Sequence, residues 1–361
     1  MSNITFMIGN GFDLACGLKS RYTDTYDEYI KRSSSSNTIE QFKKTIDKDI
    51  PTWSDFEMQL ASYALNLESE SDLTACLRDY DEFLNDYLVN EQHQFWTNLG
   101  NIATEEIILQ EMGKSVVRFY NGLTRNDFRS IHSIVKNSEI RYNFISFNYT
   151  NIFDSFLERA YNHGHLDPNQ GFPFSVASVL HIHGALGSDV TLGVDNEEQL
   201  AKIPYSLSNR AKRVLIKPVF LQSYDNNRFN TAIETISRSD IICVFGMSLG
   251  DSDLIWRKQL AEWLVSEKNH HLVYYKHSNM MKRYHSTALT KKMDDEEDSK
   301  EELISLLFDE TIEGEMKNKV FSKIHVPVGI NLFNMEQAIN EAYEREQRKT
   351  ELAKRLSAVN K

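Results

Sequence analysis

The chain has 361 residues and a formal net charge of −12, from 40 basic and 52 acidic side chains. Hydrophobic residues make up 41% of it and aromatic residues 11%, which is enough for a core and excludes a disordered chain. The negative charge argues against a large non-specific nucleic-acid surface, because such surfaces are basic.

The cysteines and the hydropathy restrict the possible compartment and cofactors. Cys16, Cys76 and Cys243 are scattered, and they fit neither a disulfide framework nor a zinc site made of four cysteines. No apolar run reaches the ~18 residues that a membrane helix needs. No basic region precedes an apolar stretch at the N-terminus, as it would in a secretory signal. We therefore expect a cytoplasmic protein without a membrane partner.

The first element is an apolar run at Ile4–Ile8 that ends at a glycine-rich turn, Gly9-Asn10-Gly11. A buried strand, a glycine turn and a following helix begin an α/β unit. From Ile39 to Asn137 the apolar residues recur at spacings of three and four, as in helices. Ordinary α/β connections have only ~2–6 residues. We predict that residues 39–137 form an inserted helical subdomain.

Short apolar strands then alternate with helices, which predicts a parallel sheet flanked by helices, an α/β fold. This α/β domain would comprise residues 1–38 and 138–330, followed by a C-terminal helix at 331–361. The acidic run Met293–Glu302 predicts a solvated loop. The polar helix Met335–Ser357 would pack on the sheet or pair with another chain, so a homo-oligomer is expected. The predicted strands are Tyr142–Phe147, Val179–His183, Arg213–Lys217, Ile241–Phe245 and Leu272–Tyr275, and the predicted helices between them include Asn226–Ser237 and Asp251–Glu267.

The first candidate site is the turn after the first strand. Glycines at positions 9 and 11 let backbone N–H groups approach a phosphate, with Asn10, Phe12 and Asp13 at the start of the following helix. The full dinucleotide fingerprint needs a third glycine, and Ala15 and Cys16 stand near its place. A plain tight turn is the alternative.

Two further candidates follow predicted strands. Asn148 offers an amide that both donates and accepts hydrogen bonds, although a helix N-cap is the alternative role for an asparagine there. His181 and His183 lie on one face of their strand, before Gly184. A metal site is not expected, because neither this pair nor the His163–His165 pair has an obvious third ligand. An acid–base histidine competes with a histidine that is simply part of the core.

The fourth candidate is the loop Gly246–Asp253, whose Ser248 offers a hydroxyl donor. Its aspartates, Asp251 and Asp253, are alternatively helix caps. Polar loops that follow separate parallel strands converge at one edge of a doubly wound sheet. The four candidates together therefore predict a nucleotide pocket.

Taken in order, these motifs resemble the bacterial abortive-infection family called AbiH, which implies a role in defence against phage. The resemblance extends from about residue 4 to beyond residue 260. It rests on Phe6–Leu14 with Gly17-Leu18 and Tyr22-Thr23, on Trp53 with Phe56-Glu57, and on Phe147–Thr150, His181–Gly184, Leu192–Asp195 and Gly246–Asp253.

A more distant resemblance is to sirtuin-like NAD-consuming domains. These have a glycine-rich first turn, an asparagine after a strand, a His-Gly and a Gly-x-Ser, in the order in which Gly9, Asn148, His183 and Gly246 occur here. The chain departs from that pattern at Thr150, where an aspartate is usual. It also lacks the zinc-binding cysteine quartet of the protein deacetylases, so lysine deacetylation is not expected.

The resemblance implies a Rossmann-like, sirtuin-like fold and NAD as substrate or ligand, with no prosthetic group. Asn148 and His183 would be the catalytic pair, assisted by Asp13. The expected nucleotide-binding residues are Gly9, Asn10, Gly11, Phe12, Gly184, Gly246, Ser248 and Asp253. NAD hydrolysis in response to a phage-derived trigger is one hypothesis. A non-enzymatic sensor of NAD or an ADP-ribose-like nucleotide, and a nuclease, are the alternatives.

Overall fold

The fold is built on six parallel strands. The computed structural model describes residues 1–100, 102, 106–136, 138–168, 171–187, 190–200, 202–266, 269–276, 289–308 and 312–359. Its strands are β1 (Ser2–Ile8), β2 (Ile140–Ser146), β3 (Phe174–His181), β4 (Ile241–Phe245), β5 (His271–Tyr275) and β6 (Ile324–His325).

The strands form one sheet in the order β3-β2-β1-β4-β5-β6, and every neighbouring pair is parallel. This order is that of the doubly wound dinucleotide-binding folds, in which the chain reverses its direction of travel across the sheet between β1 and β4. The predicted α/β class with a parallel sheet is therefore confirmed. Strands β4 and β5 are buried throughout, and for this reason their sequences are continuous apolar runs rather than alternating ones.

Helices cover both faces of the sheet. Because side chains alternate along a strand, Phe6 and Ile8 point to one face and Met7 to the other. The helices are α1 (Gly11–Ala15), α2 (Tyr22–Lys31), α3 (Asn37–Lys48), α4 (Phe56–Tyr63), α5 (Glu70–Leu99), α6 (Glu106–Val117), α7 (Arg125–Val135), α8 (Ile152–Asn162), α9 (Asn209–Leu215), α10 (Lys217–Tyr224), α11 (Asn226–Arg238), α12 (Leu254–Val265), α13 (Leu289–Leu307), α14 (Gly314–Lys323) and α15 (Met335–Val359).

The helices between β1 and β2 divide between two hydrophobic cores. Helices α6 and α7 pack on the sheet face that carries Phe6, together with α8 and the first half of α15. Helices α2 to α4 and most of α5 form a separate aromatic core around Tyr80, which also includes residues of the segment 192–216. The rings of Tyr80 and Phe56 stack there with centroids 4.0 Å apart. We call α2 to α5 the helical layer.

The expected absence of strands holds for the described residues between 39 and 136, all of which lie in helices, turns or loops. The domain boundaries at residues 38 and 137 remain a prediction, and Asn137 lies outside the described residues. Helix α15 packs against α6 through its first two turns, and its residues 344–356 are exposed.

Two sequence predictions were wrong. Arg213–Lys217 is not a strand: α9 ends at Leu215 and α10 begins at Lys217, with one bridge between Val194 and Ile216. A short apolar run cannot be distinguished from a buried helical segment by periodicity. The acidic run Met293–Glu302 is part of α13 rather than a loop.

Helix α13 forms because its acidic residues have partners and its apolar residues have a core to enter. Lys292 pairs with Glu296 one turn away, and Lys300 reaches Asp127 of α7. Leu303 and Leu307 are buried against the second face of the sheet. The sequence analysis did not predict β6, because a strand of two residues is too short to show an alternation of apolar and polar side chains. The predicted helix Asp251–Glu267 corresponds to α12, and Glu267 lies outside the described residues.

The close approach of the turns after β1 and β4 is testable at Gly11. A Cβ atom there would lie 2.4 Å from the backbone Cα of Gly246. Because backbone cannot yield as a flexible side chain does, we expect Gly11→Ala to lower the free energy of unfolding by ~1–3 kcal/mol. Urea unfolding measures this. Gly250→Ala is the control, since its Cβ would meet only the Ser248 hydroxyl at 3.4 Å. Equal stabilities of the two variants would contradict the prediction.

Candidate functional site

A cavity of about 240 Å³ opens where the turns after β1 and β4 adjoin at the carboxyl edge of the sheet. Ligands of open α/β sheets bind at this point, where the strand order reverses. The cavity has two walls. The sheet side contributes Gly9, Asn10, Asp13, Phe147, Asn148, Tyr149, Thr150, His183, Gly246, Met247, Ser248, Ser252 and Asp253, and the helical layer with its adjoining loops contributes Ser20, Tyr22, Ser54, Asp55, Glu57, Leu84 and Leu88.

The structure thus brings most of the sequence-predicted site residues to one cavity. The three predicted residues that do not line it are Gly11, Phe12 and Gly184. Phe12 is buried in the core, where its ring packs edge-to-face on Phe153 and Phe333. The catalytic and binding roles of all these residues remain predictions. Those lining the cavity are Gly9, Asn10, Asp13, Asn148, His183, Gly246, Ser248 and Asp253.

The backbone N–H groups of Gly9, Gly11 and Phe12 in the first turn already have acceptors. Gly9 N donates to Phe245 O at 2.9 Å, Gly11 N to Gly246 O at 3.0 Å and Phe12 N to Gly9 O at 3.0 Å. The Asn10 side chain donates to Ser20 O and accepts from the Ser20 hydroxyl. In this conformation the turn therefore joins β1 to β4 and fixes the next loop, and its N–H groups do not form an open phosphate cradle.

A buried hydrogen-bonded group consists of Asp13, Asn148 and Thr150. Asp13 Oδ1 accepts from Asn148 Nδ2 at 3.2 Å, and Asp13 Oδ2 accepts from the Thr150 hydroxyl at 2.7 Å. These bonds fix the orientation of the Asn148 amide. The amide oxygen, Asn148 Oδ1, is buried without a hydrogen-bond partner among the described residues. It is an acceptor without a donor, in a residue that lines the cavity.

Burial makes Asp13 an unusually weak acid. Desolvation raises its pKa to about 7, although the hydrogen bonds from Thr150 and Asn148 act in the opposite direction. Asp13 therefore titrates near neutral pH. A carboxyl group with such a pKa, in a cavity at the carboxyl edge of a sheet, is typical of a functional site.

His183 lines the same cavity as Asn148. It is two residues beyond the end of β3, and its ring packs edge-to-face on Phe147 and near Tyr149, the two chain neighbours of Asn148. Burial, and secondarily the charge of Lys217, keep the pKa of His183 well below its usual value. The imidazole is therefore neutral at pH 7.

His181, the first histidine of the His-x-His pair, contacts Asn148 and Asp154. Its Nδ1 lies 3.0 Å from the backbone oxygen of Asn148, and its Nε2 lies 3.0 Å from both carboxylate oxygens of Asp154 in α8. His181 thus contacts the backbone of the residue whose side chain lines the cavity.

A buried ionic cluster around Lys217 adjoins the cavity through Glu57. Lys217 Nζ lies 2.8 Å from Glu57 Oε2 of α4 and 3.3 Å from Asp195 Oδ1, and it donates to Ser252 O at 3.2 Å. The lysine joins the helical layer to the loops after β3 and β4. Sequence analysis quoted Glu57 and Asp195 only as parts of motifs and did not identify Lys217, because nothing in its local sequence indicates these partners.

The cluster carries more negative than positive groups. Burial raises the pKa of Glu57 to about 7 and that of Asp253 to about 6, in each case against the lowering effect of Lys217. Burial alone would lower the pKa of Lys217, but Glu57 and Asp195 raise it above its usual value. None of the described residues lining the cavity is a lysine or an arginine.

The described residues contain neither a helix that could cross a membrane nor a cluster of metal ligands. None of the helices in this part of the chain is long and apolar enough to cross a membrane. No group of three or more His, Cys, Asp or Glu side chains there is arranged to hold a metal ion.

Comparison with known proteins gives one match. The model of a family described as "Bacteriophage abortive infection AbiH" matches residues 5–275. This range includes the last four residues of β1, all of β2 to β5, the helical layer and every residue that lines the cavity. No curated protein and no solved structure is significantly similar to the chain.

The buried Lys217 cluster predicts a large loss of stability on removal of its cation. Lys217→Met leaves Glu57 and Asp195 buried without a counter-charge, and breaking such a pair costs ~3–5 kcal/mol. Urea unfolding at pH 8 measures it, and the loss will be smaller at pH 5, where Glu57, whose pKa burial raises to about 7, is protonated. Lys212→Met is the control, because its pair with Glu197 is more exposed and worth ~0–1 kcal/mol. Equal effects at pH 8 would contradict the prediction.

The raised pKa of Asp13 predicts a pH-dependent stability. In the unfolded chain this carboxyl titrates near its model value of 3.8, whereas in the folded chain it titrates at about 7. Its contribution is therefore complete below pH 4 and is lost as the pH rises through 7, at ~1.4 kcal/mol per pKa unit. We expect Asp13→Asn to gain stability relative to the wild type between pH 4 and pH 8. Urea unfolding across this range tests it, and a difference independent of pH would refute it.

Proposed function

The chain belongs to the AbiH family of bacteriophage abortive infection proteins, and from this premise we propose that its cavity hydrolyses NAD to nicotinamide and ADP-ribose. The observation that carries the proposal is the free amide oxygen of Asn148. This acceptor is buried, belongs to a residue that lines the cavity, and is held in place by the hydrogen bond from Asn148 Nδ2 to Asp13. A ribose hydroxyl or the attacking water is the donor that it would receive.

The charge of the cavity supports cleavage of a glycosidic bond. When the bond between nicotinamide nitrogen and ribose C1′ breaks, its electron pair leaves with nicotinamide, which becomes neutral, and positive charge develops on the sugar. Asp13, Glu57 and Asp253 line the cavity, and their ionised forms stabilise that charge. A leaving group that departs neutral needs no strong general acid.

His183 is the proposed proton acceptor. Water attacks C1′ and releases one proton as the new C–O bond forms, so a neutral base must be within reach. Burial keeps the His183 imidazole neutral, and it lines the same cavity as Asn148. A positioned base of this kind contributes ~10²–10⁴-fold to the rate. Asp13 has the supporting role of holding Asn148.

The size of the cavity restricts which part of NAD enters it. Pockets that enclose a whole drug-sized ligand have ~300–1,000 Å³, and this one has about 240 Å³. We therefore propose that the nicotinamide and its ribose enter, between Tyr22 and Phe147. The diphosphate remains at the mouth near Ser248, because carboxylates inside the cavity repel it.

The direct test uses the chain purified from phage-infected cells, in which the trigger has acted. It is incubated with NAD, and nicotinamide and ADP-ribose are measured by chromatography. We expect Asn148→Ala and His183→Ala to lower kcat at least 100-fold while the fold, measured by circular dichroism, is retained. His93→Ala is the matched control, since His93 is exposed on α5 outside the cavity. Binding of NAD without cleavage by the wild type would overturn the hydrolase and favour a sensor.

Phage challenge tests the same proposal in cells. An abortive-infection hydrolase must be inactive until infection, since continuous NAD loss would kill the host. We expect infected cells carrying the wild type to lose NAD and block phage growth, and cells carrying either variant to do neither. Protection by both variants with unchanged cellular NAD would exclude the hydrolase.

A further inference from the structure

Asn148 is held from two sides. Its side chain donates to Asp13 of α1, as described above, and its backbone oxygen faces His181 Nδ1 at 3.0 Å. His181 is the last residue of β3 and is paired in register with Ser146, two residues before Asn148. The other ring nitrogen of His181 is bound by Asp154 at 3.0 Å. A chain of contacts therefore runs from Asp154 through His181 to Asn148.

We propose that His181, oriented by Asp154, is a positioning residue for Asn148 and that its protonated form is the one that holds the site in its active arrangement. The proposal rests on the hydrolase function, in which Asn148 contacts the ribose. His181 does not line the cavity, so its effect on the reaction passes through Asn148. A displacement of ~1 Å at a positioned group can cost about 100-fold in rate.

The hydrogen bonding requires both ring nitrogens to carry a proton. A carbonyl oxygen and a carboxylate are both acceptors, so a neutral imidazole can donate to only one of them. Burial alone would lower the pKa of His181, but the hydrogen bond and charge of Asp154 and the Asn148 carbonyl together raise it above its usual value. The other charged groups that act on the ring are Arg228 of α11, which opposes protonation, and Asp13, which is in electrostatic contact with it.

Loss of the proton gives the expected effect its direction. As the pH rises through the pKa of His181, one of the two hydrogen bonds is lost, and Asp154 favours keeping the proton on Nε2. The contact with Asn148 then becomes one between a bare nitrogen and a carbonyl oxygen. We therefore expect kcat to fall at alkaline pH, with little change in KM.

Two variants separate positioning from simple structural support. Asp154→Asn keeps an amide beside the ring and removes the charge, so the alkaline fall in kcat should move to lower pH. His181→Asn places an amide nitrogen near the position of Nδ1, and His181→Gln places one near Nε2. We expect His181→Asn to retain more activity than His181→Gln and to lose the alkaline fall.

The control is a second histidine–carboxylate pair outside the cavity. His165 Nε2 lies 3.3 Å from Glu106 Oε1 of α6, and neither residue lines the cavity. Glu106→Gln removes that carboxylate as Asp154→Asn removes the other. We expect its pH profile to match that of the wild type, which a general effect of removing a carboxylate beside a histidine would not give.

A titration by NMR spectroscopy tests the contact without using catalysis. The His181 ring and Asn148 side-chain signals are assigned from their loss in His181→Gln and Asn148→Ala, and both are followed from pH 5 to pH 9 in the wild type. We expect the Asn148 signals to shift with the pKa of His181, and that pKa to fall in Asp154→Asn.

The outcomes are distinct. Identical pH profiles of the wild type and Asp154→Asn, or an Asn148 amide that does not respond to His181, would overturn the positioning role. If the wild type cleaves no NAD at any pH, the proposed function fails, and the NMR titration alone then decides whether His181 positions Asn148. If the His181 variants fail to fold, the wild type and Asp154→Asn still give this result.

Discussion

The site depends on the backbone contact between the turns that follow β1 and β4. Gly9 N and Gly11 N donate to the carbonyls of Phe245 and Gly246, and Gly246 itself adopts a positive φ of 72° to make this approach. Side chains larger than hydrogen do not fit between these turns. Gly9 and Gly246 of this contact line the cavity. The contact also uses the Gly9 and Gly11 N–H groups, which a dinucleotide fold would otherwise present to phosphate. Recognition at this site must therefore come mainly from side chains.

Those side chains make the cavity acidic, and the acidity follows from how the helical layer is attached. Lys217 forms ion pairs with Glu57 of α4 and with Asp195. Its positive charge is therefore neutralised by these carboxylates, and Lys217 does not line the cavity. The result is a site that is better suited to a neutral or cationic group than to a phosphate. The nicotinamide end of oxidised NAD carries a positive charge on its ring, so in the reaction that we propose the part of the molecule that reacts is also the part that this electrostatic field attracts.

Local pattern was sufficient for the strands and for the positions that follow them. Strand β4 and residues Leu272–Tyr275 of β5 are continuous apolar runs, and the apolar end of β1 is closed by Gly9. Parallel strands place whatever follows them at one edge. For that reason Asn148, His183 and Gly246 could be assigned to one pocket from the sequence. The partners of Lys217 could not, because Glu57 lies 160 residues away and only the packing of α4 brings it there. Nor could the segment Arg213–Lys217, whose apolar residues serve a helical core instead of the sheet.

The same distinction bears on Thr150, where the sirtuin-like pattern predicts an aspartate. A carboxylate is nevertheless present at this point in space, because the Thr150 hydroxyl donates to Asp13 at 2.7 Å and Asp13 also accepts from the Asn148 amide. The acid comes from α1 rather than from the loop that carries Asn148. A different element of the fold therefore places an acidic group beside the asparagine, and burial gives this group a pKa of about 7. A departure from a motif at one position is therefore weak grounds for assigning a loss of chemistry, since hydrogen bonding constrains where a group lies and not where it occurs in the chain.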